Sequence, residues 1–509
     1  MSTPWWQEAV IYQIYPRSFS DADGNGVGDL EGIRAHLDHL VWLGVDAIWI
    51  SPFFTSPMAD YGYDVSDYCD VDPLFGSLAD FDRLLEDAHR LGLRVLIDWV
   101  PNHTSDQHPW FLDSLSGPDS PRRDWYYWRD GSGPGRPPNN WRAAFIGGPA
   151  WTWDPRVSQW YLHSFLPQQP DLNWGNPELV AAMHDTLRFW LDRGVDGFRI
   201  DVVHLLGKDP DLPDGPGRQP AITDRWSTHA RLRDLRRLLD SYPGERTSVG
   251  EVYILDTAAV ATYYGHDDEL HLAFNFPPLH APWEADAWRR CITDTLSALG
   301  QRGAWPTWVL SNHDTPRHLT RYGSESRARA AAVMLLTLRG TPFLFAGEEL
   351  GLADAVVEGD AVRDPGGRDG CRAPVPWTSD AGHGWPVAPW LPWPPEPAAH
   401  SAEAQRRQTD GMLHLYRRLL ALRRSRPSLR GGDLTVLDCP DGVLGYRRSS
   451  PGEDLVILVN FGAEPVGMEV PGGPFRVEVS SHPARDRARW DGRLGPDEAV
   501  VLGPQPHEQ

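Results

Sequence analysis

The sequence predicts an α/β protein: a parallel (β/α)8 barrel with an inserted subdomain after its third strand and a C-terminal antiparallel β-sandwich. Three observations lead there. Eight short apolar runs recur, each followed by turn residues and a helical pattern, as the strands of a parallel barrel are. The interval from the third run, at Arg94, to the fourth, at Val195, is too long for an ordinary connection and is rich in Trp, Gly, Pro and Asp. Beyond about residue 430 the long helices give way to short strands with Gly and Pro punctuation.

In chain order the runs are AVIYQIYP from Ala9, DAIWIS from Asp46, RVLIDWV from Arg94 and VDGFRID from Val195. SVGEVY from Ser248, HLAFNF from His271, TWVLSNHD from Thr307 and PFLFAGEE from Pro342 follow. Between the first three, LEGIRAHLDHLVWLG and LADFDRLLEDAHRLG each predict one helix. Leu30, Ile33, Leu37 and Leu40, and Phe81, Leu84, Leu85 and Ala88, form single apolar stripes facing the core. The barrel then covers residues 1–103 and 173–429, the inserted subdomain 104–172 and the sandwich 430–509. LTVL, VLGYRR, LVILVNF, VGMEV, FRVEV and AVVLG supply the strands of the last. A second irregular stretch, rich in Pro and Trp, runs from about Leu350 to Pro397.

Composition narrows the function. A net charge of −22 would repel nucleic acid or an anionic membrane before contact, so an uncharged small-molecule substrate fits better. The 24 Trp suit core packing and the apolar faces of sugars alike. Cys69, Cys291, Cys371 and Cys439 lack metal-like spacing and read as reduced thiols. The opening residues lack the basic and apolar regions of an export signal, and no run is long enough to span a bilayer, which makes the cytoplasm the expected location. Lys208, a solitary lysine among 48 basic residues, reads as coding bias toward Arg.

Several runs end in polar residues: Asp98 with Asn102 and His103, Arg199 with Asp201, Glu251, and His313 with Asp314. In a barrel the carboxyl ends of all strands open onto one face, where groups from distant parts of the chain converge. Arg199 and Asp201, two apart on a strand, point the same way. Singly, an Asp after a strand is more often a turn former. The three acids at the ends of runs four, five and seven, with histidines at three and seven and no Ser elbow, catalytic thiol or metal-type His pair, point instead to glycoside cleavage by paired carboxylates.

DWVPNHTS, GFRIDVVH, GEVY and LSNHD resemble, in order, the four signature regions of the α-amylase superfamily, glycoside hydrolase family 13. QPDLNW at Gln169 to Trp174, WWQEAVIYQIYPRSF and YGYDVSDY resemble its oligo-1,6-glucosidase and α-glucosidase branch. The resemblance implies Asp201 as nucleophile, Glu251 as general acid and base, and Asp314 as the third acid. Arg199 would keep Asp201 ionised while Glu251 stays protonated. His103 and His313 would bind hydroxyls of the transferred glucose, and Tyr63 would stack beneath it. Asp60 would grip the far edge of that sugar with an Arg of GRDGCRAPVPW, Arg372 first and Arg368 as the alternative, which closes the pocket after one sugar. Val202 resembles the branch members that accept α-1,6 bonds.

The implied activity is a retaining, exo-acting α-glucosidase on maltose, isomaltose or short oligosaccharides, with α-1,4 and α-1,6 linkage both open. A transglucosylase or a sucrose or maltose isomerase is the alternative within the family. A non-catalytic scaffold like the heavy subunits of amino-acid transporters is disfavoured, because all three acids are present and no span is. No organic cofactor is implied. In DADGNGVGD, Asp21, Asp23, Asn25 and Asp29 with the Val27 carbonyl make an oxygen cage suited to one structural Ca²⁺, or Mg²⁺, against the plainer reading of a loop of Asx turns.

Overall fold

The computed structural model describes residues 3–131, 133–144, 147–215 and 226–505. The outer bounds expected for the barrel, residue 1, and for the C-terminal domain, residue 509, lie outside the described residues.

The barrel strands are β1 (Ile11–Ile14), β2 (Ala47–Ile50), β3 (Arg94–Trp99), β4 (Gly197–Ile200), β5 (Thr247–Gly250), β6 (Leu272–Ala273), β7 (Thr307–Val309) and β8 (Thr341–Phe345). All pair in parallel, in the order β6-β5-β4-β3-β2-β1-β8-β7. Strands buried on both faces carry continuous apolar runs, which is why these segments were legible. Ile11, Trp49, Leu96, Val249 and Phe343, from five of the strands, share one apolar cluster. Between β6 and β7 a side chain replaces the ladder: Thr307 Oγ1 donates to Ala273 O at 2.8 Å and accepts from Asn275 N at 3.2 Å.

The single helix expected after β1 is two, α1 (Leu30–Ala35) and α2 (Leu37–Leu43). The break falls at His36 (φ −110°, ψ 9°), whose imidazole stacks on Trp377 at 3.6 Å and 9°. The stripe of Leu30, Ile33, Leu37 and Leu40 is buried all the same. α3 (Leu78–Arg90) begins with a capping box between Ser77 and Asp80, contributing about 1 kcal/mol, and buries Phe81, Leu84, Leu85 and Ala88.

Between β3 and β4, strands Trp128–Asp130, Trp151–Asp154 and Gln159–Leu162 form an antiparallel sheet over a core that includes Trp141, Trp151, Trp160 and Leu162. Part of the Trp content is therefore packing. The C-terminal strands are β9 (Asp433–Leu437), β10 (Val443–Ser450), β11 (Glu453–Asn460), β12 (Phe475–Ser480) and β13 (Ala499–Pro504), antiparallel in the order β9-β10-β11-β13-β12. Alternation along β11 sends Leu455, Ile457 and Val459 into the main core and Val456 and Leu458 into a second cluster under a two-stranded ribbon, Val466–Gly467 with Arg493–Leu494. The second layer of the expected sandwich is that ribbon.

Candidate active site

Arg199, near the carboxyl end of β4, is the hub of the polar cluster. Its Nη1 donates to Asp98 Oδ1 and to Asp201 Oδ1, each at 2.8 Å, and its Nη2 to Glu251 Oε2 at 2.5 Å. Asp201 and Glu251 are gathered on the two terminal nitrogens of one guanidinium. Run ends from β3, β4 and β5 thus meet on one guanidinium that is almost wholly buried. Val202, directly after Asp201, sits in left-handed backbone (φ 32°, ψ 43°), rare for a β-branched residue, and in that conformation its N–H donates to Glu251 Oε2 at 3.1 Å.

Three carboxyls around one cation cannot all be ionised cheaply. Burial holds Asp201 well above the usual carboxylate range; Arg199 pulls it down, while Glu251 and Asp98 push it further up. Burial likewise pushes Asp98 up to about 7, despite Arg199. The expectation that Arg199 keeps Asp201 ionised is therefore corrected: one cation is divided among three acids, and burial outweighs its pull on Asp201. Asp314 is the opposite case. Burial would raise it, but His313 and the guanidiniums of Arg368 and Arg372 outweigh that and hold it well below the usual range.

His313 is placed differently from the expectation. Gln13 Nε2 lies 2.7 Å from its Nδ1, and Tyr63 Oη 2.6 Å from its Nε2. With the amide as donor, Nδ1 accepts, Nε2–H donates to the phenol, and the phenol donates to Asp98 Oδ2 at 3.3 Å. Burial lowers the ring to about 3, in keeping with this neutral tautomer. Both nitrogens are thus committed to protein partners, and the ring stacks on Tyr63 at 5.5 Å and 3°. His313 braces Tyr63; a sugar hydroxyl would have to displace that bond. His103 lines the cavity, its Nε2 near Tyr63 O and Gln169 Nε2, both at 3.1 Å.

It is Arg368, not Arg372, that reaches Asp60. Its Nη2 donates to Asp60 Oδ1 at 2.8 Å, its Nη1 to Asp314 Oδ1 at 3.0 Å, and Asp364 takes further bonds. Asp60 also accepts from Gln169 Nε2 at 3.0 Å and is buried, so the pair is no loose surface bridge. Arg372 lies behind it, donating to His313 O at 2.7 Å and to Asp314 Oδ1 at 3.1 Å. The two arginines stand four apart in a loop without periodicity, which hid the order from the sequence.

Asp60, Tyr63, His103, Asp201, Glu251 and Asp314 all line one cavity of about 1310 Å³. Gln13, Gln169 and Lys208 were missed. Lys208, read as coding bias, is wholly buried and donates to Asn102 Oδ1 at 2.6 Å and Leu205 O at 2.9 Å, with Asp171 Oδ2 at 3.0 Å. It ties the segment after β4 to the ends of β3 and of the inserted stretch. A lone lysine in a chain that otherwise uses Arg was the available signal.

Away from the cavity, Asp21, Asp23 and Asp29 bring carboxylate oxygens within 4.8 Å of one another. Asn25, exposed, bonds within the loop, its Nδ2 donating to Asp23 Oδ2 at 3.0 Å and its Oδ1 accepting from Val27 N at 2.7 Å. Asp21 and Asp29 also accept backbone N–H groups of the loop, as Asx turns do. The donor set, three convergent carboxylates and no nitrogen or sulfur, fits a hard cation.

Residues 13–432 match the α-amylase catalytic domain family, and residues 429–502 a domain of unknown function, DUF3459. The chain is 41% identical to a probable alpha-glucosidase of Rhizobium meliloti (strain 1021), over 92% of this chain and 91% of that one. Its structure resembles that of the alpha-glucosyl transfer enzyme XgtA (TM-score 0.90, 42% identity, 99% of this chain and 100% of that one). It also resembles the trehalulose synthase MutB of Pseudomonas mesoacidophila MX-45 (TM-score 0.92, 34% identity, 99% and 100%).

Proposed function

The chain belongs to the α-amylase family and is a glycoside hydrolase, and from that premise we propose that it is an exo-acting α-glucosidase that works with retention of configuration. The observation that carries this reading is that Arg199 holds Asp201 and Glu251 on the two terminal nitrogens of one guanidinium. Retaining enzymes hold their two carboxyls about 5–5.5 Å apart, inverting ones about 6.5–9.5 Å, because a water must fit between. Two carboxyls gathered on one guanidinium fit the shorter spacing.

The reactive form is the one with Asp201 charged and the proton on Glu251: the Asp201 carboxylate attacks C1 of the terminal glucose. The bond from C1 to the glycosidic oxygen breaks, its electron pair stays on that oxygen, and Glu251 supplies the proton. Water then attacks C1 of the glucosyl ester from the side the leaving group vacated. Glu251 takes its proton and the Asp201 carboxylate is released. Asp314, held charged by Arg368 and Arg372, faces the sugar hydroxyls. Asp60 and Arg368 close the inner end of the cavity, so one residue is removed at a time. Val202 resembles the branch members that accept α-1,6 bonds, so α-1,4 and α-1,6 linkages are both proposed.

The likeness to XgtA and MutB supports a second reading, in which a sugar rather than water intercepts the same ester. One experiment separates the two: products from maltose, isomaltose, sucrose and trehalose, with the anomer followed by NMR at early times. α-Glucose appearing first is the expected result. β-Glucose first would refute retention, and a new disaccharide without glucose would favour transfer or isomerisation.

We further propose that Asp21, Asp23 and Asp29, with Asn25 and the Val27 carbonyl, hold one Ca²⁺ or Mg²⁺ whose charge offsets their mutual repulsion. Among the described residues no helix is long and apolar enough to cross a membrane. A cytoplasmic location is supported by four free thiols.

A further inference from the structure

The stretch matched by a domain of unknown function touches, from behind, two side chains that line the barrel's cavity. Asp497, in the turn before β13, has left-handed backbone (φ 47°) and is tied down by its N–H to Gly462 O at 3.1 Å. Its carboxylate accepts from two barrel side chains at once. Trp283 Nε1 donates to Oδ1 at 2.7 Å, and Arg327 Nε lies 3.3 and 3.2 Å from the two oxygens. The Trp283 ring packs on Phe461 of the same C-terminal domain, centroids 4.3 Å apart, and on Tyr322 at 5.2 Å. Arg327 Nη1 is anchored on Tyr322 O at 3.2 Å.

Trp283, Tyr322 and Arg327 line the same cavity as the acids but bond to none of the cluster around Arg199. Trp283 and Arg327 are half-buried where Asp201 and Asp60 are buried. Their greater exposure marks them as nearer its mouth than Asp60 and Asp201, where the sugars beyond the transferred one would lie. A flat indole beside a guanidinium offers what a neutral sugar takes, an apolar face and hydroxyl-directed donors. A long side chain left to itself spreads over several rotamers, and a carboxylate that accepts from both neighbours confines them.

We propose that Asp497 is a positioning residue through which the C-terminal domain holds the outer wall of the cavity, so that this domain selects on the sugars beyond the one transferred. Neutral oligosaccharides of several units are the substrates it favours. The inference rests on the α-glucosidase reading of the cavity.

The test compares wild type, Asp497→Ala and the isosteric Asp497→Asn on two substrates. Maltotriose extends along the outer wall, whereas α-glucosyl fluoride has no sugar there. Asp497→Ala is expected to raise KM for maltotriose about tenfold, with Asp497→Asn in between and KM for the fluoride within about twofold of wild type. Asp497→Asn keeps an acceptor for Trp283 and carries the test if the alanine variant does not fold. Equal changes on both substrates, or none on either, would overturn the inference while leaving the glucosidase reading intact. A wild type that turns over neither would overturn that reading, and this one with it.

Discussion

At the scale of single residues, Glu251 and Arg368 give the plainest tests. Glu251→Gln should lower kcat on maltose by about 10²–10⁴ with the circular dichroism spectrum unchanged. The loss should be smaller on 4-nitrophenyl α-glucoside, whose leaving group needs no proton. Arg368→Lys should raise KM for maltose about tenfold, because a point charge cannot bond Asp60, Asp314 and Asp364 together; Arg372→Lys should raise it less. KM values for the two variants in the reverse order would reject the assignment of Arg368. The three acids were legible because each ends an apolar run. The choice between Arg368 and Arg372 was not, since it depends on a turn held by Asp364 and Asp369, whose carboxylates accept backbone N–H groups of the same loop.

Among elements, the turn after β8 carries the clearest pH signature. Glu348 is buried; its Oε1 accepts from Tyr416 Oη at 2.7 Å, and His318, Glu349 and Arg317 surround it. Burial first, against the Tyr416 bond, pushes it up to about 8. A carboxyl raised on folding stabilises the fold below its unfolded value and loses that contribution as pH rises through the folded one. The midpoint of the wild type relative to that of Glu348→Gln should therefore fall from pH 4.5 to 8. A variant with the wild-type slope would show the burden to lie elsewhere. Element by element, the barrel strands were readable because both faces are buried. The break at His36 was not: its stacking partner, Trp377, is brought near only by the finished fold.

For the molecule as a whole, the acidic loop predicts a cation-dependent stability. Ca²⁺ added to chelator-treated protein should raise the unfolding midpoint by about 2 °C or more, and an Asp21→Asn, Asp23→Asn variant should not respond. Equal responses would place the ion elsewhere. Lys208 has a consequence of another kind. It carries the chain's single lysine ammonium, and that group is sealed between Asp171 and Asn102. A reagent that acylates primary amines therefore finds no lysine on the surface of the folded protein. Each Lys208 it marks records one excursion in which the segment after β4 has come away from the inserted stretch. Counting marked molecules over time turns an unassuming internal bridge into a stopwatch for the opening of the catalytic face.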